Sequence, residues 1–196
     1  MKERILLIGG GGHCKACIDV IEQEGRFQIH GIIDREENIG QTVLGYPIIG
    51  CDEQLPLLLK KCSNALVTVG QIKTAALRKK LFLQLKEIGY CLPVIQSPLA
   101  YISVHSAIGE GTIIMHHAIV NAAAHIGKNC IINTKSLIEH DAAVEDHCHI
   151  STGSILNGGV TVQSGSFFGS NATSKEYVTI PENGFIKAHS LYKGKP

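Results

Sequence analysis

From Ile102 onward the chain keeps a strict six-residue beat. Ile102, Ile108, Ile114, Val120, Ile126, Ile132, Ile138, Val144, Ile150, Leu156, Val162 and Phe168 form one arithmetic series of large apolar residues. Two positions ahead of each stands a companion: Ala100, Ser106, Thr112, Ala118, Ala124, Cys130, Ser136, Ala142, Cys148, Ser154, Val160 and Ser166, nearly all of them small. Neither the helical period nor the simple alternation of a strand produces such a pattern. It suits a triangular coil of short strands, about 18 residues per turn, with the large residue pointing inward on each side and the small one where the chain rounds a corner. Neighbouring turns stack through backbone hydrogen bonds about 4.8 Å apart, and each buries its apolar column only against the next. The pattern therefore predicts a parallel β-helix domain over residues 99–196, with about four coils supplied by residues 99–170. Ser174 interrupts the series. Ile180 and Ile186 return to phase, which predicts a shorter fifth coil or capping tail before the solvated ending SLYKGKP.

Residues 1–98 follow a different grammar. Arg4–Ile8, Gln28–Ile33 and Ala65–Val69 read as strands; Lys15–Gln23, Glu53–Lys61 and Thr74–Ile88 read as helices. In the first helix Cys14, Cys17, Ile18 and Ile21 share a face. In the last, Leu77, Leu81 and Leu85 repeat at four-residue steps before Gly89. Strands separated by helices imply a parallel sheet with right-handed crossovers, a Rossmann-like α/β domain.

Composition excludes several classes. Hydrophobic residues make up 44% and charged residues 18% of the 196-residue chain, a globular balance, and the net charge of +1 offers nothing to a nucleic acid or an anionic membrane surface. No stretch approaches the roughly 20 apolar residues of a membrane span. The start MKERILLIGGGGH lacks the form of a secretory signal, so a cytoplasmic location is expected. The seven cysteines are odd in number and irregular in spacing, which argues against a disulfide framework. The lone Cys14-x-x-Cys17 reads as two small apolar residues of a helix rather than as a redox or zinc pair.

The segment Gly9-Gly10-Gly11-Gly12-His13 follows the first strand. As a dinucleotide fingerprint it is incomplete, because Cys14 stands where the third glycine belongs, so NAD is not expected. Free N–H groups at the start of the helix still suit a phosphate or a sugar nucleotide. Asp34, ending the second strand, suits a hydroxyl or base contact, Arg35 beside it could reach a phosphate, and Gly70 ends the third strand in the same crevice.

Together the hexapeptide series, the GGGGH loop and the segment Glu139-His140-Asp141 resemble the sialic-acid O-acetyltransferase and nucleotide-amino-sugar N-acetyltransferase family. The resemblance covers nearly the whole chain. It implies a small Rossmann-like sugar-nucleotide domain joined to a left-handed parallel β-helix, a homotrimer, and acetyl-CoA as co-substrate, with no metal expected. It further implies that His140 is the general base, with Asp141 raising its basicity, and that His149 and Gly158 contact acetyl-CoA. Gly169 and its successors would line the pantetheine channel, and Asn133 would face the site. The nucleotide sugar would rest on Gly11, Gly12 and His13, with Asp34, Arg35 and Gly70 around it. Imidazole titrates near neutrality and so suits a base for an amine or hydroxyl nucleophile.

Two departures from the family stand out. Asp141 replaces a glutamate, and Arg35 replaces a second acidic residue beside Asp34. The expected reaction is direct N-acetylation of a UDP-linked 4-amino sugar for bacterial surface-glycan or glycoprotein synthesis. O-acetylation of sialic acid is the nearer alternative and a non-catalytic β-helix binding module the more distant one. Zinc-dependent carbonic anhydrases resemble the same half in fold, but their paired histidines lie five residues apart, a spacing that none of the ten histidines here shows. The sequence leaves open which sugar, nucleotide and pathway are involved.

Overall fold

The computed structural model describes residues 2–194. Its first unit is built on a sheet of five strands: β1 (Glu3–Ile8), β2 (Phe27–Ile33), β3 (Thr42–Val43), β4 (Tyr46–Gly50) and β5 (Asn64–Val67), in the order β3-β4-β2-β1-β5. All neighbours run parallel except β3 and β4, a short antiparallel pair that the sequence pattern did not announce. Helix α1 (Gly12–Glu24) buries Cys14, Cys17, Ile18 and Ile21 on one face, as their spacing implied. Helix α2 is only Leu55–Leu58, preceded by a 3₁₀ turn at Asp52–Gln54, so the helix expected over Glu53–Lys61 is much reduced. Pro56 accounts for the helix starting there, since proline suits a first turn and bars an earlier one.

Helix α3 (Ala76–Ile88) ends on the left-handed Gly89, and here the four-step leucine pattern misleads in one place. Leu81 and Leu85 are buried, but Leu77 is 55% exposed, and the neighbouring Arg78 is the side chain that goes inside, at 1% exposure.

The second unit is a left-handed parallel β-helix. Its two-residue strands form three flat faces. The first comprises Ile95–Gln96, Ile113–Ile114, Ile131–Ile132, His149–Ile150, Phe167–Phe168 and Phe185–Ile186. The second runs from Tyr101–Ile102 through Ile119–Val120, Leu137–Ile138, Ile155–Leu156 and Thr173–Ser174 to Leu191–Tyr192. The third holds Ala107–Ile108, His125–Ile126, Ala143–Val144, Thr161–Val162 and Thr179–Ile180. Strands pair in register at intervals of 18 residues, for example Ile138 with Leu156.

The large-residue series forms the core of this prism, and the small companions from Ala118 to Ser166 are fully buried beside it. Every sixth residue from Gly111 to His189 takes the left-handed conformation, with φ between 53° and 74°, and this makes each corner. Beyond the four turns expected over residues 99–170 the coil continues, as the return of Ile180 and Ile186 to phase implied, and it is regular rather than shortened. It starts at Ile95 and stays in phase to Tyr192, straight through Ser174. That serine is tolerated inside because its hydroxyl accepts from the Asn157 N–H (2.9 Å) and its carbonyl accepts from the Asn157 side-chain amide (2.7 Å), so the buried polar group is satisfied.

The two units meet along the first face and the edge it shares with the third. Helix α1 covers the outward Ile113 and Ile131, and Phe82 meets His147 edge to face. Glu110 pairs with Lys86 on α3 and with Lys128 on the coil. A relay from Ser97 through His116 to Asp19 ties α1 to the first turns: Ser97 Oγ lies 2.6 Å from His116 Nδ1, and His116 Nε2 lies 2.7 Å from Asp19 Oδ2. Its order is that of a nucleophilic triad, but Ser97 is 3% exposed and accepts the Leu99 N–H, so the relay is a clamp. No helix among the described residues is long and apolar enough to cross a membrane.

Candidate active site

The expected site residues fall into two groups. The first surrounds a cleft of about 900 Å³ at the carboxyl ends of β1, β2 and β5, the usual ligand crevice of an open α/β sheet. Gly9–His13, Asp34, Arg35, Gly70, Gln71 and His149 line it. Gly9 has φ +108°, and a methyl there would sit 2.5 Å from Val69 Cγ2, so only glycine lets the loop turn this close to the sheet. The carboxylate of Asp34 accepts the N–H of Gly10 at 2.7 Å and that of Arg35 at 2.8 Å; it therefore anchors the loop as well as lining the cleft. Gly11 caps α1 and Gly12 begins it, so the first amides of the helix, without partners inside it, face the cleft. Arg35 is exposed and pairs loosely with Glu37 at 3.5 Å.

Two histidines form the deep wall. His149 is 7% exposed, with Nδ1–H donating to the Gln71 carbonyl at 2.5 Å while the Asn133 amide donates to Nε2 at 3.0 Å. Burial pushes its pKa down to about 4, so it is a neutral ring held at both nitrogens. His13 is pushed down to about 3, by burial first and then by the charge of Arg78, and its Nε2 is buried without a hydrogen-bond partner. An orphaned ring nitrogen in the wall of a cleft is a group whose partner is supplied from outside the chain.

Arg78 lies behind this wall. It donates to the carbonyls of Val67 (2.7 Å), Val69 (2.8 Å) and Asn129 (3.3 Å), and no carboxylate partners it among the described residues. Burial lowers its pKa to about 10, so the guanidinium stays charged at neutral pH. Nothing in the residue pattern pointed to this side chain, since an arginine on a helix is normally a solvated one. Gln71 gains its role in the same way, by what the fold brings against His149, while Asn133, expected to face the site, meets the other nitrogen of that ring.

The second group lies elsewhere. His140 and Asp141 occupy the edge between the second and third faces of the prism, opposite the first face on which the α/β unit sits. His140 Nδ1 is 2.8 Å from Asp141 Oδ2, and this hydrogen bond raises the imidazole pKa above its ordinary value. With Nδ1–H given to the carboxylate, Nε2 is left as the free acceptor. Gly158, one coil on, lies directly beneath the ring: a methyl there would fall 2.8 Å from Cε1 and 2.9 Å from Nε2.

Thus His140, Asp141 and Gly158 come together, while His149 sits in the glycine-loop cleft. Gly169 starts the corner between the first and second faces, where its missing side chain leaves room for the backbone of Ile186–Ala188. Among the described residues no three His, Cys, Asp or Glu side chains converge as a metal site.

Residues 4–85 match the family of PglD N-terminal domains. Among solved structures the chain is similar to a histidine-to-asparagine mutant of perosamine N-acetyltransferase from Caulobacter crescentus, in complex with CoA and GDP-perosamine. Identity is 31% over 97% of this chain and 89% of that one, with a TM-score of 0.92. It is similar too to the acetyltransferase domain of PglB from Neisseria gonorrhoeae in complex with acetyl coenzyme A, at 26% identity over 99% of this chain and 95% of that one, TM-score 0.89. WeeI from Acinetobacter baumannii shares the fold at 20% identity and a TM-score of 0.63. No curated protein sequence matches the chain. With a relative at 31% identity along nearly its full length, and the glycine loop and hexapeptide coil in sequence as that family has them, the chain belongs to the hexapeptide-repeat sugar acetyltransferases.

Proposed function

We propose that the protein transfers the acetyl group of acetyl-CoA to the amino group of a nucleotide-linked 4-amino sugar, in one direct step. The observation that carries this reading is the imidazole of His140, bonded through Nδ1 to Asp141 and lying over the bare backbone of Gly158. Nε2 of His140 takes the proton of the sugar amine as the nitrogen attacks the thioester carbonyl, and CoA leaves as the thiol. Asp141 holds the imidazole in that tautomer and stabilises the cation it becomes, a contribution of about 10²–10⁴ in rate for a well-placed base. Gly158 lets the thioester approach the chain closely. The cleft lined by Gly11, Gly12 and His13 suits the nucleotide, whose phosphates complement the start of α1 and the buried charge of Arg78. The CoA and GDP-perosamine in complex with the perosamine relative, and the acetyl coenzyme A in complex with the PglB domain, support the same chemistry.

The cleft and the base lie on opposite sides of one prism, so a complete site takes two copies of the chain. The second face supports that assembly. Its outward column runs through Tyr101, Ile119, Leu137, Ile155, Thr173 and Leu191, with Tyr101 60% and Leu191 59% exposed, a mostly apolar stripe that a neighbouring prism would cover. A homotrimer of side-by-side prisms places such a seam next to each His140, and a cytoplasmic setting belongs to the same reading. The nucleotide was expected to be UDP-type, whereas the perosamine relative is in complex with a GDP sugar, so both bases belong in the assay.

The experiment is release of free thiol from acetyl-CoA with UDP- and GDP-linked 4-amino sugars, and with sialic acid, for the wild type and His140→Ala. Release that needs an amino sugar and falls at least a hundredfold in the variant is the expected result. Release with sialic acid alone would replace N- by O-acetylation, and equal rates in both proteins would remove His140 as the base.

A further inference from the structure

At the edge that carries His140, two consecutive glycines are each covered by a ring from an adjoining coil. His140 of the preceding coil lies over Gly158, and Tyr177 of the following coil lies over Gly159, where a methyl would fall 2.3 Å from Cδ1 and 2.4 Å from Cε1 of the phenol. The backbone hydrogen bonds confirm the stacking: Gly159 N–H donates to the His140 carbonyl and Tyr177 N–H to the Gly158 carbonyl, each at 3.0 Å. Adjacent Cα atoms are about 3.8 Å apart, so imidazole and phenol flank one short stretch of bare backbone.

Tyr177 is also the bulkiest residue at these corners. Its φ is 53°, the left-handed region that glycine and asparagine enter easily and a bulky aromatic enters only under strain. The other corners from Gly111 to His189 are glycine, asparagine, aspartate, alanine, lysine or histidine, and none carries a side chain as large as this phenol. Core burial does not repay the strain, since Tyr177 is 77% exposed. Strain kept at an exposed position beside a reactive side chain points to use.

We propose that Tyr177 is a positioning residue for the acyl donor, its ring forming the wall against which the thioester end of the pantetheine arm lies over Gly158 and Gly159. This rests on the reading of His140 as base and of Gly158 as the donor contact. An uncharged aromatic face suits the amide and methylene groups of that arm.

The test uses Tyr177→Asn and Tyr177→Phe in the full chain, with CoA affinity by calorimetry read beside steady-state kinetics. Asparagine suits the left-handed corner, so its Tm is expected to rise by about 2–4 °C. Its KM for acetyl-CoA and its Kd for CoA are expected to rise about tenfold, the upper end of what one aromatic contact supplies, with the KM for the amino sugar unchanged. Phenylalanine keeps the ring and restores both constants. The inference is overturned if Tyr177→Asn binds CoA as the wild type does, if the acceptor KM moves instead, or if the variant changes oligomeric mass. A wild type that binds CoA but acetylates no acceptor fails the reaction reading alone, and the affinity comparison then still decides the role of Tyr177.

Discussion

Arg78 and Asn129 bond each other reciprocally across the join between the two units: Arg78 Nε donates to the Asn129 carbonyl at 3.3 Å, and the Asn129 side-chain amide donates to the Arg78 carbonyl at 3.3 Å. Because the same guanidinium also caps the carbonyls of Val67 and Val69, it fixes the end of β5 and the third wall of the cleft against the coil. Replacing Arg78 with methionine strands three buried carbonyls. We expect a loss of about 3 kcal/mol and a fall in Tm of about 6–12 °C, measured by denaturant and thermal unfolding. A variant as stable as the wild type would show that the buried charge costs as much as its hydrogen bonds return.

Gly158→Ala probes the contact beneath the base. Gly158 does not require a left-handed backbone, and the atoms its new methyl would meet belong to the exposed His140 side chain, which can swing away. Stability should therefore change by less than about 1 kcal/mol. The displaced imidazole should lower kcat by about a hundredfold, since small misplacements of a catalytic group carry costs of this order. Normal kcat in a folded variant would separate Gly158 from the chemistry.

Asp141 sets where His140 titrates. The hydrogen bond from His140 raises its pKa, so the neutral, competent form is reached only above the ordinary imidazole value of about 6.5. Activity should rise with pH through that raised value. In Asp141→Asn, a residue that tolerates the left-handed corner at φ 59°, the rising limb should move to lower pH while the plateau falls about tenfold. A pH–rate profile with an unmoved limb would mean that Asp141 does not tune the base.

His13 and His149 make stability depend on acid. Both are neutral in the fold, with pKa values pushed down to about 3 and about 4, so as the pH drops below about 6.5 the unfolded chain gains protons that the folded one refuses. Folding should be insensitive to pH between about 7 and 8 and weaken steadily from about 6.5 towards 4. His149→Gln should flatten that slope in Tm measured at intervals across the range; an unchanged slope would place the proton uptake elsewhere.

The hexapeptide beat told most of what matters about the second unit, because an inward residue every sixth position has no other way to be buried. It marked Ser174 as an interruption where the coil runs on unbroken, since nothing in a serine announces that Asn157 from the preceding coil will satisfy it. In the first unit the four-step leucines put Leu77 inside, whereas the docking of α3 on the coil turned Arg78 inward and left Leu77 on the rim of the cleft.

Local chemistry is written in the sequence: the glycine loop, the coil, the His140–Asp141 neighbours and their pairing all involve residues close in the chain or at a fixed period. Which groups share a site is not. His149 stands nine positions from His140, half a coil, and half a coil places it on another face, against Gln71 and the glycine-loop cleft rather than beside His140. The separation of cleft from base, the buried charge of Arg78 and the two rings over Gly158 and Gly159 exist only once the coils are stacked. Contacts between residues 18 apart, or between the two units, depend on three-dimensional register, and a single row of letters carries that register only where it repeats.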